Sequence, residues 1–278
     1  MTAGTRNLID RLVPFDRTAA APSPLVTDAE LVERTTESMR YQRLTLDAPR
    51  IARSALPGQF VMVTVPGPSA MVPPLPRPMA IHRRRPDEGL IELIVSPIGN
   101  GTTVLSGATG GSTVTLVGPL GRGFETAPNE GKVLTLSRGI GTCAIMSVIE
   151  DAVADERPHL AVLSGATAAQ VVGRSDVDEL GASSYLVDDV AGTSAVDHLE
   201  ATLHAMLDDD PPTVIMTCGS RRLMDLSAAL GERWGARVEI SIEAHMACGL
   251  GYCHGCAHSH DGKEGPLVCV DGPVFRFA

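Results

Sequence analysis

Two hydrophobic periods divide this chain. From about Leu31 to Phe124 the apolar residues come in short runs, alternating with polar ones and punctuated by turn residues. Arg40–Leu46 alternates with a period of two, Phe60–Val65 is rich in β-branched residues and follows Pro57-Gly58, and Leu90–Val95 and Ser112–Val117 each follow a glycine-containing turn. Successive side chains on a strand point to opposite faces, so these runs each dress one face of a sheet. Several short strands at this spacing predict a small antiparallel β-barrel.

Near Gly131 the pattern changes. Lys132–Leu136 reads as a compact apolar strand that runs into Ser137-Arg138-Gly139-Ile140-Gly141-Thr142, followed by a helical stretch to about Asp155. Further strands are expected at Leu160–Leu163, Ser184–Val187 and Thr213–Thr217. Strand alternating with helix predicts a parallel, doubly wound α/β sheet. The predicted architecture is therefore multi-domain: an N-terminal extension over 1–25, the antiparallel β-barrel over 26–127, the doubly wound α/β domain over 128–237 and a small C-terminal module over 238–278. The only compositional bias is a Pro-rich turn from Pro73 to Pro78.

Composition narrows the function. With 278 residues and 44% hydrophobic content the chain is long enough for two cores and a small third unit. No run approaches 18 uninterrupted apolar residues, so no membrane span is expected. The first 20 residues carry Arg6, Asp10, Arg11, Asp16 and Arg17 without an apolar core, which is not the pattern of a secretory leader, and a cytoplasmic location is expected. A net charge of −10 argues against nucleic acid as the main partner, and 3% aromatic residues leave few stacking platforms.

The chemistry sits in the cysteines. Cys248, Cys253, Cys256 and Cys269 are spaced C-x4-C-x2-C, then a longer gap, then Cys, which is the spacing of a plant-type [2Fe–2S] site. Three thiolates must then come from one tight loop, and Gly249, Gly251 and Gly255 let that loop turn and aim its amides at sulfur. A structural zinc is the competing reading, although zinc more often takes paired C-x2-C knuckles. A disulfide set fits poorly with a cytosolic chain. A Rieske centre needs two histidine ligands, and only His258 stands at a suitable spacing. Cys143 and Cys218 lie in apolar runs and read as small buried residues. No Ser-His-Asp or comparable arrangement stands out, so no catalytic side chain is expected.

Upstream, Arg77-Pro78-Met79-Ala80 offers an arginine fork suited to a pyrophosphate. Gly99-Asn100-Gly101-Thr102-Thr103 reads as a glycine-rich loop with free amides, and Gly118-Pro119-Leu120-Gly121-Arg122-Gly123-Phe124 marks the end of the barrel. In this order, with Pro57-Gly58-Gln59-Phe60, Asp188-Asp189 and the block from Ser241 through Cys248-Gly249-Leu250-Gly251 to Phe275, the chain resembles the electron-transfer subunit of B-type dihydroorotate dehydrogenase, within the ferredoxin-reductase-like superfamily. The resemblance covers roughly Leu31 to Phe277. It implies FAD in the barrel, held by Arg77, Pro78, Met79 and Ala80, by Ile94, Val95 and Ser96, and by Gly101 and Thr102. It implies a [2Fe–2S] cluster on the four cysteines, and a nicotinamide-type α/β domain in which Gly139 and Gly141 approach NAD(P). It also implies a partner, a catalytic FMN subunit that sets the substrate, in a heterodimer or heterotetramer.

The chain departs from that family at two places. Where a Gly-Gly-x-Gly turn and then Ala-Pro are usual, it has Arg138-Gly139-Ile140-Gly141 and Cys143-Ala144, and Arg138 there either obstructs a phosphate or pairs with it. Where the flavin motif usually ends in a hydroxyl residue it has Ala80. These changes lead to the expectation that the chain keeps FAD and the cluster, takes NAD(P)H poorly and serves a partner other than a housekeeping dihydroorotate dehydrogenase. Two further readings stand beside it: a stand-alone NAD(P)H reductase feeding an oxygenase or soluble acceptor, and a zinc-stabilised interaction subunit.

Overall fold

The structure is a computed structural model that describes residues 11–15, 23–38, 40–65, 75–126, 131–260 and 263–278. Most of the segment read as an N-terminal extension, and the start of the Pro-rich turn at Pro73, lie outside the described residues.

In chain order, β1 (Leu12–Val13) precedes seven strands that form one antiparallel sheet: β2 (Leu25–Ser38), β3 (Tyr41–Asp47), β4 (Phe60–Thr64), β5 (Arg77–Ala80), β6 (Arg83–Arg85), β7 (Leu90–Val95) and β8 (Thr113–Leu120). Helices α1 (Pro49–Ser54) and α2 (Asn100–Ser106) interrupt them. The sheet order is β5-β4-β8-β2-β3-β7-β6, and its two edge strands are neighbours in sequence. The stretch from Arg77 to Arg85 pairs first with β4, with Phe60 opposite Ala80, and then with β7, with Arg83 opposite Glu92. Between them Ile81 donates to the Gln59 carbonyl at 3.1 Å and His82 to the Glu92 carbonyl at 2.8 Å. One strand thus hands its hydrogen bonds from one edge to the other and closes the barrel, leaving no free edge at that seam. Leu44, Leu46, Val61, Val63, Ile91, Leu93 and Leu116 fill the interior.

The second sheet is built from β9 (Val133–Arg138), α3 (Thr142–Ala154), β10 (His159–Gly165), α4 (Arg174–Leu180), β11 (Ser184–Asp188), α5 (Val196–Leu207), β12 (Val214–Cys218), α6 (Arg221–Trp234) and β13 (Arg237–Ser241). Its parallel strands run in the order β11-β10-β9-β12-β13. Every residue of β12 and all but the last of β9 is buried, as expected for central strands covered by helices on both faces. The order reverses between β9 and β12, which makes the carboxyl ends of these two strands the topological switch point.

The cysteine-rich segment is an excursion from this sheet. After β13 the chain forms the hairpin β14 (Ala257–His260) and β15 (Lys263–Leu267), then returns as β16 (Val274–Phe277) antiparallel to β13. β1 adds beyond β16, with Leu12 opposite Phe277. The sequence reading did not foresee either strand. It also took Gly99–Thr103 for a loop, whereas from Asn100 this stretch is the first turn of α2.

A buried ionic network holds the barrel against the α/β sheet. Arg43 on β3 makes a forked pair with Asp176 on α4 at 2.7 and 2.6 Å, and also binds Glu92 at 2.6 Å and Glu37 at 2.5 Å. His82 and Arg83 reach the same carboxylate, at 3.0 and 3.2 Å. Arg83 pairs as well with Glu150 on α3 at 2.6 Å, and Arg84 with Asp151 at 2.5 Å. Asp176 is only 1% exposed and His82 0%. Burial alone raises a carboxyl pKa, but the hydrogen bonds from His82 and Arg43 outweigh it and hold Asp176 far below the ordinary aspartate range. Removing the Asp176 charge leaves His82 buried without its carboxylate and takes one partner each from Arg43 and Arg83. Asp176→Asn is expected to cost about 3–5 kcal/mol at neutral pH, read by chemical denaturation. Because the folded-state pKa is depressed, this contribution is complete above the ordinary aspartate value and is lost as pH falls toward the folded one, so the two proteins converge in stability in acid.

Candidate functional site

A cleft of about 550 Å³ opens where the barrel, the parallel sheet and the C-terminal segment meet. Pro78, Met79 and Ala80 of β5 and Ile94, Val95 and Ser96 at the end of β7 form one wall, with Thr102 of α2 beside them. Ile140, Gly141, Cys143 and Ala144, together with Cys218 at the end of β12, form a second. Ser241–Met246, just past β13, form a third. Of the cofactor-contact residues expected from sequence, Pro78, Met79, Ala80, Ile94, Val95, Ser96, Thr102 and Gly141 line this one space, while Arg77, Gly101 and Gly139 do not. Arg77 lies instead against Gly101, where a Cβ would overlap its guanidinium. Two separate motifs therefore meet, and a larger residue at 101 would push the Arg77 guanidinium off this position. Arg77 also donates to the Leu75 carbonyl. Thr102 closes the first turn of α2 by accepting from the Gly99 amide at 3.0 Å and donating to the Gly99 carbonyl at 2.9 Å.

Apart from Gly141, sequence reasoning missed the second and third walls. Cys143 and Cys218 are buried, as expected, yet both face the cleft. Burial lifts the Cys218 thiol to about 12 and, with the nearby charges, Cys143 well above its ordinary value, so both stay protonated and unreactive. The available signal was positional: Cys218 ends the strand that flanks the switch point.

The motif that ends the barrel works as a seam. Gln59 is buried and donates from Nε2 to the Gly121 carbonyl at 2.8 Å, while its Oε1 accepts from the Leu56 amide at 2.8 Å. Arg122 donates to the Gly272 carbonyl at 2.5 Å, Val274 to the Arg122 carbonyl at 3.3 Å and Phe124 to the Pro57 carbonyl at 2.9 Å. These bonds stitch Pro57–Phe60, Gly121–Phe124 and Gly272–Val274 together and set Pro273 on the rim of the cleft.

The four cysteines come from two places. Cys248, Cys253 and Cys256 lie on the loop between β13 and β14, and Cys269 follows β15. The Gly251 amide donates to Cys269 Sγ at 3.2 Å, which draws the fourth cysteine to the loop of the other three. The amides of Leu250 and Cys253 point at Cys248 Sγ, at 3.4 and 3.5 Å. Burial raises the Cys248 thiol, but these amide donors outweigh it and bring it down to about 6. Backbone donors converging on sulfur suit a site that carries negative charge on its thiolates. Among the described residues no three ligating side chains are grouped to hold a single metal ion. Cys256 and Cys269 are buried, whereas Cys253 is exposed beside Leu250 and Tyr252, at 52% and 90% exposure.

One stretch of chain joins the two places. Ser241–His245 line the 550 Å³ cleft and also a second cleft of about 440 Å³ that reaches Cys256 and Val268. At the switch point itself Gly141 and Gly219 are in such close contact that a Cβ on either would overlap backbone. Arg138, at the end of β9, donates to Ser164 Oγ at 2.8 Å and forks onto Asp189 at 3.1 and 2.6 Å. It pairs with a carboxylate of its own chain.

Comparison with known proteins accords with this geometry. The model of the iron-sulfur cluster binding domain of dihydroorotate dehydrogenase B matches residues 243–278. The electron transfer subunit of dihydroorotate dehydrogenase B (NAD(+)) from Desulforamulus reducens is 30% identical over 237 residues, covering 84% of this chain and 89% of that protein. The chain belongs to this family of electron-transfer subunits. The Geobacillus kaustophilus member is 31% identical over 242 residues, covering 85% of this chain and 91% of its own length. Among solved structures, an NADH-dependent reduced ferredoxin-NADP oxidoreductase superposes with a TM-score of 0.75 at 23% identity, covering 89% of this chain and 87% of that one. Phthalate dioxygenase reductase superposes with a TM-score of 0.59 at 15% identity, covering 75% and 65%. At these identities the likeness is one of fold, the expected barrel beside an α/β sheet, and the iron-sulfur assignment of the C-terminal segment rests on the family model.

The seam gives a test that does not depend on any cofactor. Gln59→Leu keeps the volume but strands the Leu56 amide and the Gly121 carbonyl, and is expected to cost roughly 2–3 kcal/mol in chemical denaturation.

Proposed function

We propose that this chain is the electron-transfer subunit of a two-component oxidoreductase of the dihydroorotate dehydrogenase B kind. It relays electrons between a catalytic flavoprotein subunit of the FMN type and a nicotinamide nucleotide, through FAD and a [2Fe–2S] cluster that it holds. The observation that carries this reading is the shared wall at Ser241–His245, which lines both the 550 Å³ cleft and the cleft that reaches Cys256. A flavin site and a cluster site divided by one strand of backbone are suited to electron exchange and to little else.

In this reading Arg77, Pro78, Met79 and Ala80, Ile94, Val95 and Ser96, and Gly101 and Thr102 hold the FAD, and Cys248, Cys253, Cys256 and Cys269 hold the cluster. When bound, these groups supply two-electron and one-electron chemistry that no side chain of the chain provides. The apolar walls of Pro78, Met79, Ile94 and Ile140 exclude water from a flat ring system. The forked Arg77 is the donor suited to a pyrophosphate. The amides of Leu250, Gly251 and Cys253 offset the negative charge of coordinated sulfur. Leu250 and Tyr252, either side of Gly251 on the cysteine loop, and Val270, packed against Gly251, are exposed apolar residues, and this is where the catalytic subunit docks, giving a heterodimer or heterotetramer. None of the six cysteines is joined in a disulfide, which leaves four of them to the cluster, and the proposed location is the cytoplasm. No helix among the described residues is long and apolar enough to cross a membrane.

Extracted flavin and iron per chain, with visible spectra of variants, test this reading. Arg77→Ala is expected to weaken FAD by roughly 10- to 100-fold, the size of a lost charge-assisted hydrogen bond to phosphate, with the iron content unchanged. Cys269→Ser is expected to keep the flavin bands and lose the cluster absorbance. A colourless wild-type chain that binds zinc and no flavin contradicts the proposal.

A further inference from the structure

We propose that Arg138 gates the nucleotide crevice: its guanidinium, tied to Asp189, lies across the ends of three strands, and a nicotinamide dinucleotide binds only once that ion pair has opened. This inference rests on the reading of the chain as a flavin-bearing subunit that exchanges electrons with a nicotinamide nucleotide.

The position of the pair is what gives it a role. In open parallel sheets a dinucleotide lies outside the carboxyl ends of the strands, at the switch point, with its pyrophosphate against the turn after the first strand. Here the first strand is β9, and its turn keeps the backbone such a ligand needs. Gly139 has φ +54°, and Gly141 is pressed against Gly219 at the end of β12. Arg138, the residue before this turn, has the extended backbone of the strand, with φ −141° and ψ 131°. Its side chain does not leave the crevice. It runs over the end of β10, donating to Ser164 Oγ at 2.8 Å and lying 3.5 Å from the Gly165 carbonyl oxygen, and ends on Asp189 just past β11. The guanidinium therefore spans β9, β10 and β11 where the nucleotide has to lie.

Asp189 is itself held. The Ser194 hydroxyl donates to its Oδ1 at 2.5 Å, and Arg222 at the start of α6 adds a further positive charge nearby. The bonds from Arg138 and Ser194 keep the carboxyl ionised, so the pair persists across the physiological pH range. The guanidinium fork matches the carboxylate on two bonds, a geometry that a single-point lysine cannot reproduce. The two-bond fork favours the closed state, and with side chains 22% and 42% exposed the pair is solvated enough to part. A ligand that needs the minor, open state binds with an affinity reduced by the fraction of that state. The gate thus weakens nucleotide binding without touching the flavin cleft, because Arg138 is not among the residues that line that cleft.

Calorimetric titration of the purified flavin-loaded chain with NAD⁺ and with NADH, beside stopped-flow reduction of its flavin by NADH, tests the gate. Arg138→Ala and Arg138→Gly are expected to lower the dissociation constant of both nucleotides by roughly tenfold, with the limiting rate of flavin reduction changed by less than about twofold. Asp189→Asn, which breaks the pair from the other side, is expected to shift binding in the same direction. Unchanged or weaker binding in Arg138→Ala overturns the proposal, since Arg138 is then either a bystander or a phosphate ligand. Melting curves and the flavin spectrum of each variant show whether it is folded. Dithionite bleaching of the flavin reports on the cofactor reading independently of any nucleotide, so the two proposals fail separately.

Discussion

Everything the site does depends on a carboxylate buried between two domains. Asp176 sits on the first turn of a short helix of the α/β sheet and gathers Arg43, His82 and Arg83 from the barrel. Taking these charges out of water is costly, and the arrangement is tolerable only because each charge has several partners at once. The result is orientation. A hydrophobic contact between two domains permits sliding, whereas a forked arginine on a buried carboxylate permits one register. The cleft exists only in that register, since its walls come from the barrel, from the parallel sheet and from the segment beyond β13.

The same logic of several weak directional bonds recurs at the other junctions. Arg122 and Val274 fix the C-terminal segment to the end of the barrel by backbone hydrogen bonds, Gln59 and Phe124 tie that barrel end to Leu56, Gly121 and Pro57, and the segment carries the cysteines. Since β16 pairs with β13, the cysteine loop is anchored at both ends in the main sheet. A loop anchored in this way presents its amides to sulfur in a fixed pattern, which is the chief means by which a protein tunes an iron-sulfur site.

Much of this was legible in the sequence. The change of period near Gly131 separated the two sheets, because a strand in a half-solvated barrel alternates while a central parallel strand is buried throughout, as β12 proved to be. The stretches Pro78–Ala80 and Ile94–Ser96 proved to line one wall of the cleft, and the cysteine spacing picked out a loop whose amides point at sulfur. The remainder was hidden for identifiable reasons. Strand β1 is only two residues long and β16 only four, too short to show a period, and each is defined by its partner across the sheet. Ser241–Met246 line the cleft because β13 ends there, a tertiary fact that no local pattern carries. Arg77 and Gly101 read as separate weak signals, and only the fold brings one onto the other. The partner that Arg138 takes within the chain, Asp189, lies 51 residues away and beyond any local pattern.

The central claim is that a flavin and a [2Fe–2S] cluster share this chain and exchange electrons through the wall at Ser241–His245. It is tested most directly by low-temperature EPR of the anaerobically purified chain after reduction. The account predicts a rhombic signal from a reduced [2Fe–2S] centre in the same sample whose visible spectrum shows bleaching flavin bands. A sample that shows neither the cluster signal nor a flavin spectrum contradicts it.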